Sequence, residues 1–487
     1  MEGGRGDRKQ VSEEWWRLWK LGIIFLYKKQ TNQSMEHDTL RHSLSVSIIG
    51  TGYVGLVTGA TFAHHGIRTV CIDVDDTKVK IIQQGTPPFF EQGLEPLLTD
   101  GISNGLLTAT TDFSQIMETD VTFICVGTPS LPDGSADLSA VKAAARSIGE
   151  VIKRKDGYHV VGTKSTVLPG TTEDLVLPII EEISGKKVDV DFGLVMIPEF
   201  LRQGQAVYDA MHPNRVIIGE HDRRSGQAIH ELYDRHRHEN GNYIPILHVS
   251  IKAAELIKYA ANSLLATKIS FANEFSRVCE KFNIDVYEVM KGVGLDNRIN
   301  PLFLNAGCGF GGSCFPKDVK AILSLSEDIE VSMPILSAVL ETNEIQPNHL
   351  VDIVKEMLGD LKDKRIAILG LAFKPDTDDT RETRALPIIE SLYQEGAIIQ
   401  AYDPQAVERF KQDCSLPITY VDSIEDALKD ADCAVIQTDW KEIKSIQPGT
   451  FRELMKNPVV IDGRRTYNPG NLRNAGITYR AIGWNKE

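Results

Sequence analysis

The sequence predicts an α/β protein: two Rossmann-like, doubly wound domains joined by a long central helix. Three observations predict it. Short apolar runs alternate with helical stretches over the first half, as the strands and crossover helices of a parallel sheet do. From Ile251 to about Phe282 no Gly or Pro interrupts the chain, enough for a helix of roughly 45 Å at ~1.5 Å per residue. The alternation then returns at Arg365-Ile366-Ala367-Ile368-Leu369-Gly370. The length agrees, since 487 residues at ~150 per domain make about three units, each able to bury a core.

The composition narrows the function class. With 53 basic against 67 acidic residues the net charge is −14, so no nucleic-acid partner is expected, and an anionic ligand must be met by local cations or helix ends. Seven cysteines stand at irregular spacings without a CxxC pair, which argues against a disulfide framework or a zinc ribbon. A reduced, cytoplasmic chain without a bound metal is expected. Residues 1–44 read differently, with Trp15, Trp16, Trp19 and an apolar run from Leu21 to Tyr27. That run is too short for a bilayer that needs ~20 residues. A disordered extension with no membrane role is expected there, with Met35 a candidate initiator.

Taken in order, Ser45 to Ile49 is a compact strand, followed by Gly50-Thr51-Gly52-Tyr53-Val54-Gly55 and a helical run to about His65. Gly66 suits the end of that helix, and Ile67 to Asp73 reads as a second strand. Further strands are expected at Val121 to Val126, Tyr158 to Thr163, Phe192 to Met196 and Val216 to Ile218, with a helix over Leu138 to Lys153. In the second half, strands are expected at Ile398 to Tyr402, Ala434 to Gln437 and Val459 to Ile461. The expected division is 45–245 for a dinucleotide domain, 246–345 for a helical, dimer-forming centre, and 346–487 for a second nucleotide-fold domain.

A GxGxxG that follows a strand, opens a helix and precedes an acid at the next strand end carries a mechanism. Gly50 permits the tight turn, Gly52 admits the pyrophosphate, and Gly55 lets helix and strand pack. The helix N-terminus meets the phosphate charge. Asp73 accepts from ribose hydroxyls and repels a 2′-phosphate, which favours NAD over NADP. Lys78 nearby leaves some tolerance for NADP.

Gly307-Cys308-Gly309-Phe310-Gly311-Gly312-Ser313-Cys314-Phe315-Pro316-Lys317-Asp318 is the most informative stretch. Its glycines let backbone crowd a ligand, and Pro316 suits a first helical turn. Cys314 then sits at a helix N-terminus beside Lys317, both of which favour a thiolate. Cys71, Cys125, Cys279 and Cys433 lie in core patterns. A nicotinamide site with a nucleophilic cysteine implies a four-electron oxidation. An alcohol becomes an aldehyde, a thiohemiacetal, a thioester and finally an acid.

From about Ser45 to Ile482 the chain resembles the UDP-glucose/GDP-mannose dehydrogenase family. The resemblance rests on the glycine loop, Lys164-Ser165-Thr166, Pro198-Glu199-Phe200-Leu201-Arg202, Lys258-Tyr259-Ala260-Ala261-Asn262, Gly309 to Asp318, and Asp462-Gly463-Arg464. It implies Cys314 as nucleophile, Lys258 and Asn262 as stabilisers of the alkoxide and oxyanion, and Asp318 as a carboxylate ordering water near the thiol. It implies that Thr166 and Glu199 hold the hydrolytic water, with Glu199 as base. Tyr53, Val54, Lys78, Thr128, Thr166, Lys317 and Arg381 are implied to face NAD beside the glycines and Asp73. Phe200, Leu201, Arg202, Lys258, Asn262, Phe303, Gly311, Phe373, Lys374 and Arg464 are implied to face the nucleotide sugar. Arg298 is implied to reach a neighbouring subunit's site, so a homodimer or larger assembly is expected.

Gly370-Leu371-Ala372-Phe373 lacks a GxGxxG, so the second domain suits a nucleotide-sugar pyrophosphate better than a second dinucleotide. One position departs from many members, which carry a second glutamate where this chain has Gln203. The wording around Cys314 favours UDP-glucose as substrate, oxidised to UDP-glucuronate with two NAD per turnover. The rivals are a dehydrogenase of UDP-N-acetylhexosamine or GDP-mannose, a β-hydroxyacid dehydrogenase, and a non-catalytic nucleotide-sugar-binding protein.

Overall fold

The structure, a computed structural model, describes residues 44–234, 236 and 241–485. The extension expected over residues 1–44 therefore lies outside the described residues but for Leu44. The first sheet contains β1 (Val46–Ile49), β2 (Thr69–Ile72), β3 (Leu107–Thr110), β4 (Val121–Ile124), β5 (His159–Thr163), β6 (Phe192–Met196), β7 (Val216–Glu220) and β8 (Ile246–Val249). The second contains β9 (Arg365–Leu369), β10 (Ile398–Tyr402), β11 (Thr419–Tyr420), β12 (Cys433–Ile436), β13 (Val459–Asp462) and β14 (Thr478–Ala481).

Both sheets are wound alike. The first has the order β3-β2-β1-β4-β5-β6-β7-β8 and the second β11-β10-β9-β12-β13-β14. Each reverses direction beside its first strand, and ligands of such sheets lie at that switch point, beyond the carboxyl ends of the strands. The expected strands appear within two or three residues of their predicted ends. The sequence reading does not include β3, β8, β11 and β14; β3 and β14 alternate in burial, β8 is interrupted by His248 and β11 has two residues, so none shows a continuous apolar run.

One ladder departs from the parallel expectation, because β7 runs antiparallel to β6. The connection between them stays at the carboxyl edge, where it carries Pro198 to Arg202 and the short helix Ala206–Met211. β7 therefore starts from that edge and runs back. Both faces of the first sheet are covered. Leu56, Phe62 and Phe123 pack on one side, and Ile72, Ile148 and Ile180 on the other, which is why its central strands are apolar throughout.

The central helix spans Ile251–Lys281, 31 residues, one residue short of the predicted end. Ser250 caps it by accepting from the Ala253 amide. The helix Pro334–Leu358 runs through the expected 345/346 boundary, so that cut falls inside one element shared by the centre and the second sheet. Likewise β8 belongs to the first sheet although it lies beyond residue 245. Among the described residues no helix is long and apolar enough to cross a membrane.

The two sheets differ where a dinucleotide would sit. Gly50 has φ +98° and Gly370 φ +101°, so the same tight turn follows β1 and β9. After Gly52 a helix begins at once, Tyr53–His64. After Gly370 no helix begins until Ala385. There Asp403 Oδ2 accepts from the Leu371 and Ala372 amides at 2.7 and 3.0 Å. Both of those turn amides are used inside the fold, and no helix N-terminus stands behind them.

Candidate active site

The glycine loop has the geometry its motif predicts. A Cβ on Gly50 would stand 2.8 Å from the Cys125 carbonyl oxygen, and one on Gly55 would stand 1.9 Å from that of Gly50. A Cβ on Gly52 would meet nothing within 4 Å; the space is left for a ligand. The helix it opens has no side-chain cap, so its first amides are available to an anion. These features fit NAD. Asp73 lies at the end of β2, but its Oδ2 accepts from the Thr51 amide and hydroxyl at 2.8 and 2.6 Å, and its Oδ1 from Asp75. Burial raises the Asp73 carboxyl, yet these bonds win and hold it below its ordinary range. Asp73 thus stays charged and rigid, with lone pairs left for ribose hydroxyls.

Thr128 is buried and its hydroxyl donates to the Thr166 carbonyl at 2.8 Å. Tyr53 stacks on Phe89, centroids 4.0 Å apart. Lys78 lies 3.9 Å from Asp75, and Val54 is half-buried beside Tyr53.

The reactive groups converge from three elements. Lys258, on the central helix, donates to Glu199 Oε1 and to the Glu199 carbonyl, both at 2.7 Å. The pair is buried, at 4% and 6% side-chain exposure. The Leu201 amide donates to the other oxygen, Oε2, at 2.6 Å. One helical turn from Lys258, Asn262 Nδ2 donates to Asp318 Oδ2 at 2.6 Å, while Lys317 Nζ donates to Asp318 Oδ1 at 2.6 Å. Asp318, 1% exposed, is held from both sides.

Cys314 is the cap of the helix Phe315–Asp328 and alone among the seven free cysteines is not fully buried. The expected thiolate is not preformed. Lys317 is turned to Asp318, and crowding desolvates the thiol and raises its pKa. Lys258 lowers it, but Glu199 and Asp318 raise it again. Desolvation is the largest of these effects. Burial also raises the Glu199 carboxyl, which Lys258, the Leu201 amide and Lys164 bring below its ordinary value. For Lys258 burial acts downwards, and Glu199, Cys314 and Asp318 outweigh it upwards.

The second sheet closes over this cluster. A Cβ on Gly311 would stand 2.3 Å from the Glu382 carbonyl oxygen, and one on Gly312 2.6 Å from the Phe373 ring. Arg464 ties the same loop down, donating to the carbonyls of Gln437, Gly309 and Phe373 at 2.7, 3.2 and 3.3 Å. Lys374 is close enough to feel the charges of Glu91 and Cys314. Arg381 clamps the buried Asp379 with two bonds, 2.9 and 2.6 Å, and feels Cys314 and Tyr53. Phe200 stacks under Arg215, whose guanidinium carbon is 3.8 Å from the ring centroid. Phe303 packs edge-on to Phe315.

Two expected ligand residues are held by neighbouring carboxylates. Arg202 is clamped by Asp209 at 2.9 and 2.6 Å. Arg298 is 89% exposed and pairs with Asp296. Three partners escaped the sequence reading: Asp209, Asp378 and Asp379. Asp378 and Asp379 lie in the same segment as Arg381, but only folding sets them against Tyr53 and Gln203. Gln203 Nε2 donates to Asp379 Oδ2 at 3.0 Å.

Comparison with known proteins follows the same three-part plan. Residues 44–237 match the UDP-glucose/GDP-mannose dehydrogenase family NAD binding domain, 252–345 its central domain, and 367–469 its UDP binding domain. The chain is 42% identical over 439 residues to UDP-glucose 6-dehydrogenase TuaD of Bacillus subtilis, covering 90% of this chain and 93% of the relative. Among solved structures it is similar to a UDP-glucose dehydrogenase from Pyrobaculum islandicum. That match has a TM-score of 0.83 at 39% identity and covers 92% of this chain and 100% of the other. A UDP-D-ManNAc dehydrogenase from Pyrococcus horikoshii matches with a TM-score of 0.80 at 28% identity, covering 91% and 100%.

Proposed function

This chain belongs to the UDP-glucose/GDP-mannose dehydrogenase family, and from that premise we propose that it oxidises UDP-glucose to UDP-glucuronate through Cys314. The observation that carries the reading is the buried Lys258–Glu199 pair, whose charges act on Cys314, the one cysteine not fully buried. Oxyanion stabiliser, base and nucleophile meet at one place. Among solved structures the higher identity to the UDP-glucose dehydrogenase, 39% against 28% for the UDP-D-ManNAc enzyme, favours glucose as the sugar.

NAD bound at the glycine loop would supply the hydride acceptor for each of the two oxidations. Lys258 has three N–H groups and spends two on Glu199, so one remains for the substrate oxygen. It stabilises the alkoxide of the alcohol and then the oxyanion formed when Cys314 sulfur adds to the aldehyde. Asn262 provides the second donor and is oriented by Asp318. At the thioester, Glu199 takes a proton from the attacking water, whose oxygen bonds to the acyl carbon as the carbon–sulfur bond breaks. Sulfur leaves as thiolate and regains its proton. Thr166 positions that water.

Phe200, Leu201 and Arg202 flank the sugar, while Phe303, Gly311, Phe373, Lys374 and Arg464 wrap the UDP moiety. Leu264, Phe271, Phe275 and Val278 are exposed at spacings that share one face of the central helix. A second copy packs on that face, and Arg298 reaches its site. Seven free thiols suit a reducing cytoplasm.

NADH yield tests the reading. Two NADH per UDP-glucose are expected; a ratio of one, or no turnover with any UDP-sugar, overturns it.

A further inference from the structure

Lys164 is a buried cation that the reaction described above does not use. It follows β5 directly, and the registers Ile124↔Thr163 and Thr163↔Met196 set Cys125, Lys164 and Ile197 in one row across three strands. Adjacent strands lie ~4.8 Å apart, and residues two apart along a strand share a face. A Cβ on Gly162, two residues before Lys164, would stand 2.7 Å from the Phe123 ring and 3.1 Å from Ile197 Cδ1, which fixes that face. Glu199 lies two residues beyond Ile197. Lys164 is therefore set at the carboxyl edge between Cys125 and the segment that carries Glu199.

Its surroundings are apolar. Phe62, Phe123, Ile197 and Tyr233 belong to one core cluster, and Lys164 is 6% exposed. Its Nζ donates to the Tyr233 hydroxyl at 3.2 Å and stands 5.8 Å over that ring. A neutral phenol does not offset the burial of an ammonium, which is costly unless a counter-charge is near. Glu199 is the carboxylate that senses it, and Cys125 senses both.

The consequence arises in the second half of the reaction. Lys258 gives its third N–H to the substrate oxyanion, and that second negative charge then competes with Glu199 for the one ammonium just when Glu199 must act as a base. We propose that Lys164 is a second positioning cation for Glu199, keeping its carboxylate charged and aimed while Lys258 serves the substrate. The groups facing Glu199 are Lys258 from the central helix, Cys314 from the thiol-bearing helix, and Lys164 and Cys125 from the sheet edge. Arg215 stacks on the neighbouring Phe200. Lys164 touches neither substrate nor thiol; it acts through Glu199. The inference rests on the assignment of Glu199 as base.

The experiment follows decay of the Cys314 thioester by rapid quench and mass spectrometry, across pH, in the full chain with NAD and UDP-glucose. Lys164→Met is expected to move the acid limb of that decay up by about one pH unit, a roughly tenfold slowing below the limb. Lys164→Arg is expected to restore it. A limb that superimposes on the unmodified enzyme in Lys164→Met overturns the proposal. Lys164→Gln, which removes the charge and keeps a polar head for Tyr233, replaces Lys164→Met if the latter does not fold. If only Lys164→Arg folds, Lys164 is structural and the proposal fails. Glu199→Gln separates the two readings. A normal thioester decay there overturns Glu199 as base, whereas a trapped thioester with an unmoved Lys164→Met limb overturns Lys164 alone.

Discussion

The Tyr53 hydroxyl donates to Asp378 Oδ1 at 3.0 Å, joining the first residue of the phosphate-binding helix to the second sheet's long loop. Desolvation and the Asp378 charge push the phenol well above its ordinary range, so Tyr53 remains a donor at any working pH. Gln203 makes a parallel link to Asp379. The block with the glycine loop and the second-sheet block are thus tied at two consecutive residues, Asp378 and Asp379.

Tyr53→Phe is expected to cost about 1 kcal/mol of stability, and Asp378→Asn a similar amount. Their double variant is expected to lose less than the sum, with a coupling of about 1 kcal/mol. Denaturant titration of the four proteins measures it. Full additivity would show that the link carries no energy.

The glycines of the loop separate binding from folding. Gly52→Ala has room for its methyl group and an extended φ of −74°, so its melting temperature is expected to hold while KM for NAD rises roughly tenfold. Gly55→Ala would drive a methyl into the Gly50 carbonyl and is expected to lose about 3 kcal/mol or more. Thermal melts and NAD titration on both variants decide.

Burial raises the Cys314 thiol above the usual range, with Lys258 opposing and Glu199 and Asp318 assisting. Alkylation by iodoacetamide in the absence of substrate is therefore expected to be slow at neutral pH and still accelerating above pH 9. Glu199→Gln removes one of the raising charges and is expected to speed alkylation several-fold at pH 8. The other six cysteines are buried, so labelled peptide reports this site. A rate that levels off below pH 8 would point to a preformed thiolate.

At the opposite edge of the first sheet, His159 is buried with Nδ1 3.1 Å from the Thr119 carbonyl and Nε2 2.8 Å from the Thr122 hydroxyl. A neutral ring satisfies both, Nδ1–H donating and Nε2 accepting. Desolvation first, and the Lys155 charge second, lower its pKa from 6.5 to about 3. A base depressed on folding leaves stability intact above its unfolded pKa and drains it as pH falls towards the folded one. The loss is expected to approach about 1.4 kcal/mol per pH unit between those values. His159→Gln is expected to flatten that acid slope in urea titrations.

Much of the architecture was legible locally. The motif at Gly50 to Gly55, the uninterrupted stretch after Ile251 and the glycine-rich run into Cys314 each announce a backbone shape, because sterics, periodicity and helix capping act within a few residues. The two halves of the Lys258–Glu199 pair were legible as residues but not as partners, and Gln203 was legible as a departure but not as a donor to Asp379. Cys314 shows the limit most clearly. Its position at a helix end was readable, but the sign of its pKa shift was not, since desolvation depends on what the fold packs around the sulfur.

The sequence by itself determined the tight turns, the long helix, the central strands and the residues able to do redox and thiol chemistry, all properties of neighbours along the chain. Only the tertiary structure decided which of those residues share charge: Lys258 with Glu199, Asn262 with Asp318, Tyr53 with Asp378, and Lys164 with the edge of β6. Coulomb and hydrogen-bond energies depend on separation and burial in space, and partners far apart along the chain, as far as 325 residues for Tyr53 and Asp378, acquire both only when the sheets close around them.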